Sequence, residues 1–203
     1  MLIKTLSLGQ FETNCYIVTN EKTLECVIVD PGDESNTILN YIEDNKLKPQ
    51  AIFITHGHMD HVGAADAVRQ ELNIPVYMNE KDDENRHPGM WSYPMPQGGI
   101  YNKEGDVIEK AGMSFRIIET PGHTPGGVSI ICEDVIFTGD TLFQGSAGRT
   151  DMEGGDTETE LRSLKKLCML PGDYEVYPGH MGPSTLERER NFNYYCRLAM
   201  EKF

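Results

Sequence analysis

Residues 51–64 constrain the fold most, because an apolar run leads directly into a cluster of metal-ligand side chains. Residues 51–55 are apolar and β-branched, as in a buried strand, and residues 62–72 have the apolar spacing of a helix. Between them lie three imidazoles and one carboxylate, those of His56, His58, Asp60 and His61. Imidazole and carboxylate are common ligands of zinc and similar divalent ions. The pattern therefore predicts a metal site on a strand-to-helix turn, in preference to a polar turn with chance histidines.

Three later motifs repeat this arrangement, with a potential ligand after a strand-like apolar run and a glycine directly before the ligand. They are Gly122-His123 after 115–119, Gly139-Asp140 after 135–138, and Gly179-His180 after 174–177. Glycine lets the backbone turn sharply at such positions. We expect the four motifs to meet at the ends of their strands.

The remaining patterns divide the chain into an α/β half and a β-meander followed by helices. We predict strands over 2–8, 14–19, 24–30, 51–55, 75–78, 107–108, 115–119, 128–132, 135–138 and 174–177. We predict helices over 34–47, 62–72 and 157–169. A terminal helix is expected from residue 184, capped by Ser184 or Thr185 with Glu187 near its start.

Residues 79–104 lack a regular period and are rich in Met, Pro, Gly and aromatic side chains in their second part. A loop of this length is typical of a lid or binding loop, and a passive connector is the alternative. His87 lies in this segment, outside the four motifs, and is interpreted as a solvated surface residue rather than a substrate contact.

Length and charge limit the class of protein. A chain of 203 residues predicts a single domain over 1–203. The formal net charge of −14 disfavours a nucleic-acid partner, because such a surface repels phosphate backbones. No apolar run approaches the length that spans a bilayer, so we expect no membrane partner.

Cysteine use and the N-terminus indicate the compartment. The five cysteines are an odd number without a C-x-x-C motif, and the first residues lack the pattern of a signal peptide. We therefore expect a reducing, cytoplasmic setting, with one redox-active thiol as the alternative.

The motif His56-Gly57-His58-Met59-Asp60-His61, with the three later Gly-ligand pairs, resembles the metallo-β-lactamase-fold hydrolases. The resemblance runs along the whole chain and includes Thr13-Asn14-Cys15-Tyr16 and Val29-Asp30-Pro31-Gly32. It looks closest to the glyoxalase II branch, the hydroxyacylglutathione hydrolases and their shorter relatives. The resemblance implies a four-layer αββα sandwich, a mixed α+β or α/β fold with two sheets face to face and helices outside.

The resemblance also implies a ligand set for two metals. His56, His58 and His123 would hold the first metal, Asp60, His61 and His180 the second, and Asp140 would bridge both. Seven ligands without a cysteine suit catalysis, since structural zinc sites are usually closed and Cys-rich. Zinc is the expected metal, although iron or manganese suits the same ligands. Asp30, before Pro31-Gly32, is interpreted as a turn residue or a partner behind a ligand.

The chemistry expected of such a site is thioester hydrolysis. Two cations roughly 3.5–4 Å apart share a water and lower its pKa from 15.7 towards ~7, which gives hydroxide at neutral pH. Hydroxide then attacks the thioester carbonyl, with the oxyanion stabilised by a cation already in place. A thiolate leaves readily because the pKa of its thiol is only about 8.5. Asp60 and Asp140 are the predicted catalytic carboxylates, Asp60 helping to orient the water.

Several relatives with the same fold provide alternatives. True β-lactamases lack the carboxylate that Asp140 supplies, so β-lactam hydrolysis is not expected. Persulfide dioxygenases are similar through Gly139-Asp140 and Gly148-Arg149-Thr150-Asp151, and use a single iron for an oxidation. A metal-binding protein without turnover is a third hypothesis.

Substrate recognition is the least defined part of the prediction. Full-length glyoxalase II carries a helical glutathione-binding domain after its last histidine, and here only enough chain for one helix follows His180. Arg149 stands where that branch has a basic contact to the substrate carboxylate, and a salt bridge with Asp151 or Asp156 is its alternative role. Arg188 and Arg190 are weaker candidates. We therefore expect a small-molecule thioester, with its thiol unspecified.

Overall fold

A computed structural model describes residues 1–84 and 91–203. The first of its two six-stranded sheets contains strands in chain order. These are β1 (Leu2–Leu8), β2 (Thr13–Thr19), β3 (Glu25–Val29), β4 (Lys48–Phe53), β5 (Val76–Asn79) and β6 (Ile100–Asn102). The first three strands are antiparallel neighbours, and β3 to β6 are parallel. The helices of this half are α1 (Ser35–Asp44), α2 (Met59–Val62), α3 (Ala65–Leu72) and α4 (Glu80–Glu84).

The second sheet has the strand order β14-β13-β10-β9-β8-β7. Its strands are β7 (Val107–Lys110), β8 (Met113–Glu119), β9 (Val128–Cys132), β10 (Val135–Gly139), β13 (Glu175–Pro178) and β14 (Ser184–Thr185). A small hairpin of β11 (Leu142–Phe143) and β12 (Ser146–Ala147) lies between them in sequence. The helices of this half are α5 (Thr157–Cys168), α6 (Leu186–Phe192) and α7 (Tyr194–Lys202).

Side-chain alternation along β2 shows how the layers are built. Cys15 and Ile17 belong to the apolar cluster that contains α1 and α3, whereas Tyr16 and Val18 pack in the cluster between the two sheets. Successive strand residues point to opposite faces, so a strand buried on both faces must lie between two layers. A third cluster joins the second sheet to α5, α6 and α7. The predicted four-layer αββα sandwich is confirmed.

Aromatic contacts hold the two sheets together. The ring centroids of Phe53 and Phe115 lie 5.0 Å apart, and those of Tyr16 and Phe137 lie 5.2 Å apart. Each pair joins one strand of the first sheet to one of the second. Such pairs contribute about 0.5–1.5 kcal/mol beyond their buried area, and they fix how the sheets face each other at the edge where the ligands emerge.

The sheet topology brings the predicted ligands to one edge. Strand β9 is antiparallel to both β8 and β10, and β13 is parallel to β10. Strands β8, β10 and β13 therefore run in the same direction, and their carboxyl ends share one edge. His123, Asp140 and His180 follow these three strands.

Two predicted helices are divided in the structure. The helix expected over 62–72 is two helices, because the amide of Ala64 donates to the carbonyl of Pro31 at 3.0 Å and Gly63 packs against the backbone of Gly32. The terminal helix breaks at Asn193, whose extended backbone and side chain cap α7. Thr185, one of the two predicted caps, accepts from the amide of Arg188 at the start of α6.

Two other predictions about secondary structure were also wrong. Residues 79–104 were expected to be irregular, but they contain α4 and β6. Strand β4 begins at Lys48 and ends at Phe53, because a bulge accommodates Pro49 and the amide of Thr55 turns to the side chain of Asp30. His87 lies outside the described residues.

The five cysteines are buried and free. No helix within residues 1–84 and 91–203 is long and apolar enough to cross a membrane.

Candidate metal centre

The first ligand motif is held in place by Asp30, at the end of β3. Its carboxylate accepts hydrogen bonds from the amide and hydroxyl of Thr55, at 2.7 and 2.6 Å. The same carboxylate accepts from Nδ1 of His61 at 2.9 Å. Asp30 therefore fixes the backbone just before His56 and the ring of His61, which agrees with its interpretation as a partner behind a ligand.

Helix α2 carries two of the predicted ligands. Asp60 and His61 lie within this four-residue helix, and His58 is its N-terminal cap residue. Sequence reasoning expected them on a turn before the helix. The short helical turn places Asp60 and His61 beside His180, while the ring centroid of His61 lies 4.1 Å from that of His56.

Three histidines form the first ligand group. Nδ1 of His58 lies 3.1 Å from Nε2 of His56 and 2.9 Å from Nε2 of His123. Nδ1 of His123 lies 2.7 Å from the carbonyl oxygen of Arg149. Because a carbonyl only accepts, this contact places the proton of a neutral His123 on Nδ1 and leaves Nε2 free to bind a metal.

Asp60, His61 and His180 form the second group. Oδ2 of Asp60 lies 3.3 Å from Nε2 of His180 and 3.6 Å from Nε2 of His61. The hydroxyl of Thr13 donates to the same Oδ2 at 2.8 Å. The peptide carbonyl of Phe11 lies 3.2 Å from Nδ1 of His180, which leaves Nε2 directed at the centre.

Asp140 lies between the two groups. Its Oδ2 is 3.5 Å from Nε2 of His123 and 3.5 Å from Nε2 of His180, and its Oδ1 is 3.3 Å from Nε2 of His61. One carboxylate thus contacts a histidine of the first group and two of the second. This is the position that a bridging carboxylate requires.

Glycines allow the later motifs to reach this centre. Gly122 and Gly139 have positive φ angles of 140° and 49°, so they turn the chain as expected. Gly179 has a different role, because a side chain there would lie 2.2 Å from Oδ1 of Asp140 and 2.6 Å from Cε1 of His61. Only glycine permits this close approach.

Burial and charge tune His56, His58 and Asp140 toward the forms that bind metal. Desolvation lowers the pKa of His56 and, with repulsion from His123, lowers that of His58 to about 4. Burial raises the pKa of Asp140, but His61 and His180 outweigh it and hold that pKa well below its usual range. Neutral imidazole and ionised carboxylate are the forms that coordinate cations. For His61 and His180, burial lowers the pKa but the neighbouring carboxylates outweigh it, so the pKa of His61 is raised and that of His180 is raised to about 9.

The donor atoms fit a divalent cation. Nε2 of His61 and Oδ1 of Asp140 face each other while buried, and neither has a hydrogen-bond partner within the described part of the chain. Unpartnered buried polar atoms are costly, and a shared cation would remove that cost. Soft ligands are absent from the set, which suits zinc, iron or manganese.

The structure therefore brings all seven predicted ligand residues together, while their roles as ligands stay a prediction. Arg149 reaches the lining of the adjacent cavity. Its Nε and Nη2 donate to the two carboxylate oxygens of Asp151 at 2.7 and 2.8 Å. Asp156 instead caps α5 by accepting from the amide of Thr159. Arg188 and Arg190 contact Glu189 and the backbone of Cys168, and do not line this cavity.

Sequence reasoning missed Asp82, in α4. This buried carboxylate accepts from the amide of Gly57, the hydroxyl of Thr124 and the amide of Gly126, at 2.8, 2.9 and 2.5 Å. Gly57 lies between two predicted ligands, and Thr124 directly follows His123. Asp82 thus joins the loops of the first and second motifs.

The side chains of Asn14 and Tyr16 were also missed as partners of the last motif. Asn14 donates to the carbonyls of Pro178 and Met181 at 3.0 and 2.9 Å, and the hydroxyl of Tyr16 donates to Pro178 at 2.5 Å. They fix the loop that carries His180. Both residues belong to the stretch Thr13–Tyr16, which carries part of the family resemblance, and this was the signal that could have identified them.

A cavity of about 630 Å³ opens beside the centre. Asp60, Asp140 and three of the histidines lie in its wall, and the remaining lining is mainly aromatic and methionine side chains. A volume of this size suits a small molecule. The cavity therefore gives a small molecule access to the candidate metal centre.

Known proteins provide comparisons by family, by sequence and by structure. The family described as Metallo-beta-lactamase superfamily matches residues 8–180. The chain is 34% identical to the protein named hydroxyacylglutathione hydrolase GloC from Haemophilus influenzae, over 95% of this chain and 97% of that protein.

Two solved structures are similar throughout. The structure described as BLEG-1 B3 metallo-beta-lactamase superposes with a TM-score of 0.88 at 34% identity, covering 96% of this chain and 99% of that one. The structure described as TTHA1623 in a di-iron-bound form gives a TM-score of 0.81 at 34% identity, covering 95% of this chain and 99% of that one.

Proposed function

The chain belongs to the metallo-beta-lactamase superfamily, and we propose that it is a binuclear metal-dependent hydrolase of small thioesters. Zinc is the first choice of metal, the proposed setting is the cytoplasm, and the proposed partner is a small-molecule thioester substrate rather than a nucleic acid or a membrane. The observation that carries the proposal is the position of Asp140, in contact with both ligand groups and open to the cavity.

The ligand residues would divide as their contacts suggest. His56, His58 and His123 would hold one ion, Asp60, His61 and His180 would hold the other, and Asp140 would bind both. Bound divalent ions acidify a water molecule and polarise a carbonyl group. The likeness to a di-iron-bound structure supports two ions in one site, and it makes iron the second choice of metal.

Asp60 is positioned to orient the attacking water. Burial raises its pKa, but the hydrogen bond with His180 and the charge of His61 outweigh this and bring the pKa to about 2. A carboxylate with so low a pKa accepts a hydrogen bond from water rather than removing its proton. The hydroxyl of Thr13 holds one of its oxygens in place at 2.8 Å.

The leaving group needs little assistance from the chain. A thiolate leaves without a general acid because the pKa of a free thiol is only about 8.5. The cavity wall supplies Arg149 as a contact for a substrate carboxylate, in competition with Asp151. The likeness to a hydroxyacylglutathione hydrolase supports the thioester class.

Two other reactions deserve assays. The likeness to a B3 metallo-beta-lactamase favours β-lactams as comparison substrates, although Asp140 argues for the thioesterase branch. A persulfide dioxygenase with one iron remains the alternative that uses similar ligands. Oxygen uptake with glutathione persulfide identifies that reaction.

The proposal is tested with purified, metal-loaded protein on a panel of thioesters, oxyesters, β-lactams and glutathione persulfide. We expect thioester hydrolysis to exceed all other rates and to disappear in Asp140→Ala. Asp134→Ala is the matched control, because this exposed aspartate lies at the opposite end of β10. Panel rates equal to those of Asp140→Ala would support a metal-binding protein without turnover.

A further inference from the structure

Resting on the proposed thioesterase function, we propose that Phe11 and Trp91 form a subsite for an apolar group, preferably aromatic, attached to the thioester. Both side chains line the 630 Å³ cavity beside the metal centre. The preferred substrate is then a thioester with an apolar arm rather than one with a glutathione arm.

The two rings are exposed to an extent that suits ligand binding. Phe11 is 53% exposed and Trp91 is 57% exposed. Their centroids lie 6.3 Å apart at an interplanar angle of 88°, an edge-to-face arrangement. Large aromatic side chains gain most when they are removed from water. An apolar group between cavity wall and rings would cover both.

The backbone couples these rings to the metal ligands. The carbonyl of Phe11 lies 3.2 Å from Nδ1 of His180, and the carbonyl of Trp91 accepts from the amide of Met59 at 2.7 Å. Met59 lies between His58 and Asp60. The backbone of Phe11 thus contacts the predicted ligand His180 directly, and the backbone of Trp91 contacts the residue between two predicted ligands.

The charges around the cavity disfavour a glutathione arm. Arg149 is the only Lys or Arg among the described residues that line it, and both carboxylate oxygens of Asp151 already engage its guanidinium. Glutathione carries two carboxylates, and the chain has a formal net charge of −14. Phe143, Met152 and Met181 add further apolar wall instead.

Four substrates separate the possible sources of selectivity. The acetyl thioester of 2-mercaptoethanol is the polar parent, and S-lactoylglutathione is the anionic comparison. S-benzyl thioacetate places the aromatic group on the thiol, and the phenylacetyl thioester of 2-mercaptoethanol places it on the acyl half. We expect kcat/KM of at least one aromatic substrate to exceed that of the parent about tenfold, an ordinary gain for an apolar pocket.

Variants assign that gain to the two rings. Phe11→Ala and Trp91→Ala should each reduce the ratio of aromatic to parent kcat/KM about tenfold, while Phe11→Leu should restore most of it. Phe192→Ala is the control, because Phe192 is 74% exposed on α6 and does not line the cavity. Its ratio should equal that of the wild type.

Tryptophan fluorescence tests binding without catalysis. Trp91 is the only tryptophan of the chain, so its emission reports on this subsite alone. N-benzylacetamide should change the emission saturably, N-(2-hydroxyethyl)acetamide should not, and Phe11→Ala should raise the half-saturating concentration about tenfold.

The outcomes separate the subsite from the reaction. Saturable fluorescence without hydrolysis of any thioester would keep the subsite and refute the proposed reaction. Thioester hydrolysis that favours S-lactoylglutathione, with aromatic-to-parent ratios unchanged in both alanine variants, would overturn the subsite and leave the reaction standing. Equal fluorescence responses to the two amides would also overturn it.

Discussion

Nδ1 of His61 donates a hydrogen bond across 2.9 Å to Oδ2 of Asp30, and both side chains are buried. The contact leaves Nε2 of His61 directed at Asp140, 3.3 Å away. A carboxylate behind a histidine ligand fixes the ring and its tautomer. The candidate metal centre is therefore held in place by a residue outside the predicted ligand set.

We predict that Asp30→Asn weakens metal binding about 10–100-fold. All contacts of the Asp30 carboxylate come from donors, so an amide group would place its own donor against one of them. Competition with a chromophoric chelator measures the affinity. Asp33→Asn, an exposed change in the same turn, is the control, and equal affinities in the two variants would contradict the prediction.

We predict that Asp82→Ala lowers the free energy of unfolding by about 3 kcal/mol. The change leaves three donors, from Gly57, Thr124 and Gly126, without their charged acceptor, and such hydrogen bonds contribute about 1.5–3 kcal/mol each, with incomplete additivity. Urea unfolding provides the measurement. Asp66→Ala removes an exposed carboxylate from α3 and should cost less than 1 kcal/mol. If Asp82→Ala also cost less than 1 kcal/mol, the role of Asp82 in joining the two loops would be refuted.

The meeting of the predicted ligand residues at one centre could be expected from the sequence, because each follows a locally recognisable strand. Each of the three later residues, His123, Asp140 and His180, follows an apolar run and a glycine. Both signals can be read from the sequence alone. Asp82 has no such signal, since its neighbours Asp83 and Glu84 look equivalent until the chain folds. Its partners lie 25 to 44 residues away, so only the tertiary structure distinguishes it.

The predicted helix over 62–72 was wrong for a similar reason. The amide of Ala64 leaves the helical pattern to reach Pro31, a contact between distant segments. Apolar periodicity reports the spacing of hydrophobic residues and carries no information on hydrogen bonds to distant segments. The contact between the rings of Phe11 and Trp91 was not predicted either, because the two rings meet only when two loops approach the same cavity.

A pH dependence is expected where Glu189 holds the turn of the β11–β12 hairpin. Glu189 is buried and accepts from the amide of Gly145, the hydroxyl of Ser184 and the amide side chain of Asn193. Burial raises its pKa, but these hydrogen bonds outweigh burial and hold the pKa below its usual range. Its stabilising contribution is therefore present above the unfolded-state pKa of about 4.3 and is lost as the pH falls through the lower folded-state pKa.

Glu189→Gln should consequently lower the unfolding free energy most at pH 7 and progressively less below pH ~4.3. Denaturant unfolding across this range measures the difference from the wild type. Glu187→Gln, an exposed change on the same helix, should give a small difference. A Glu189 effect that stays constant with pH would contradict the assignment.

Arg149 and Asp151 provide a prediction about charged substrates. Asp151→Ala frees the guanidinium and should lower KM for S-lactoylglutathione about threefold, in the range of one exposed charge pair. Arg149→Ala should raise that KM. Neutral thioesters measured in parallel are the control, and KM changes of the same size for them would show that the pair acts only on structure.

The number of metal ions per chain at full activity tests the central claim most directly. Metal-free protein is titrated with zinc, iron or manganese, while bound metal and thioester hydrolysis are followed together. The two ligand groups joined by Asp140 predict maximal hydrolysis at two ions per chain, and loss of the second ion with most activity in Asp140→Ala and in His180→Ala. Full activity with one ion in either variant, or a wild type with one iron that consumes oxygen with glutathione persulfide, would contradict it.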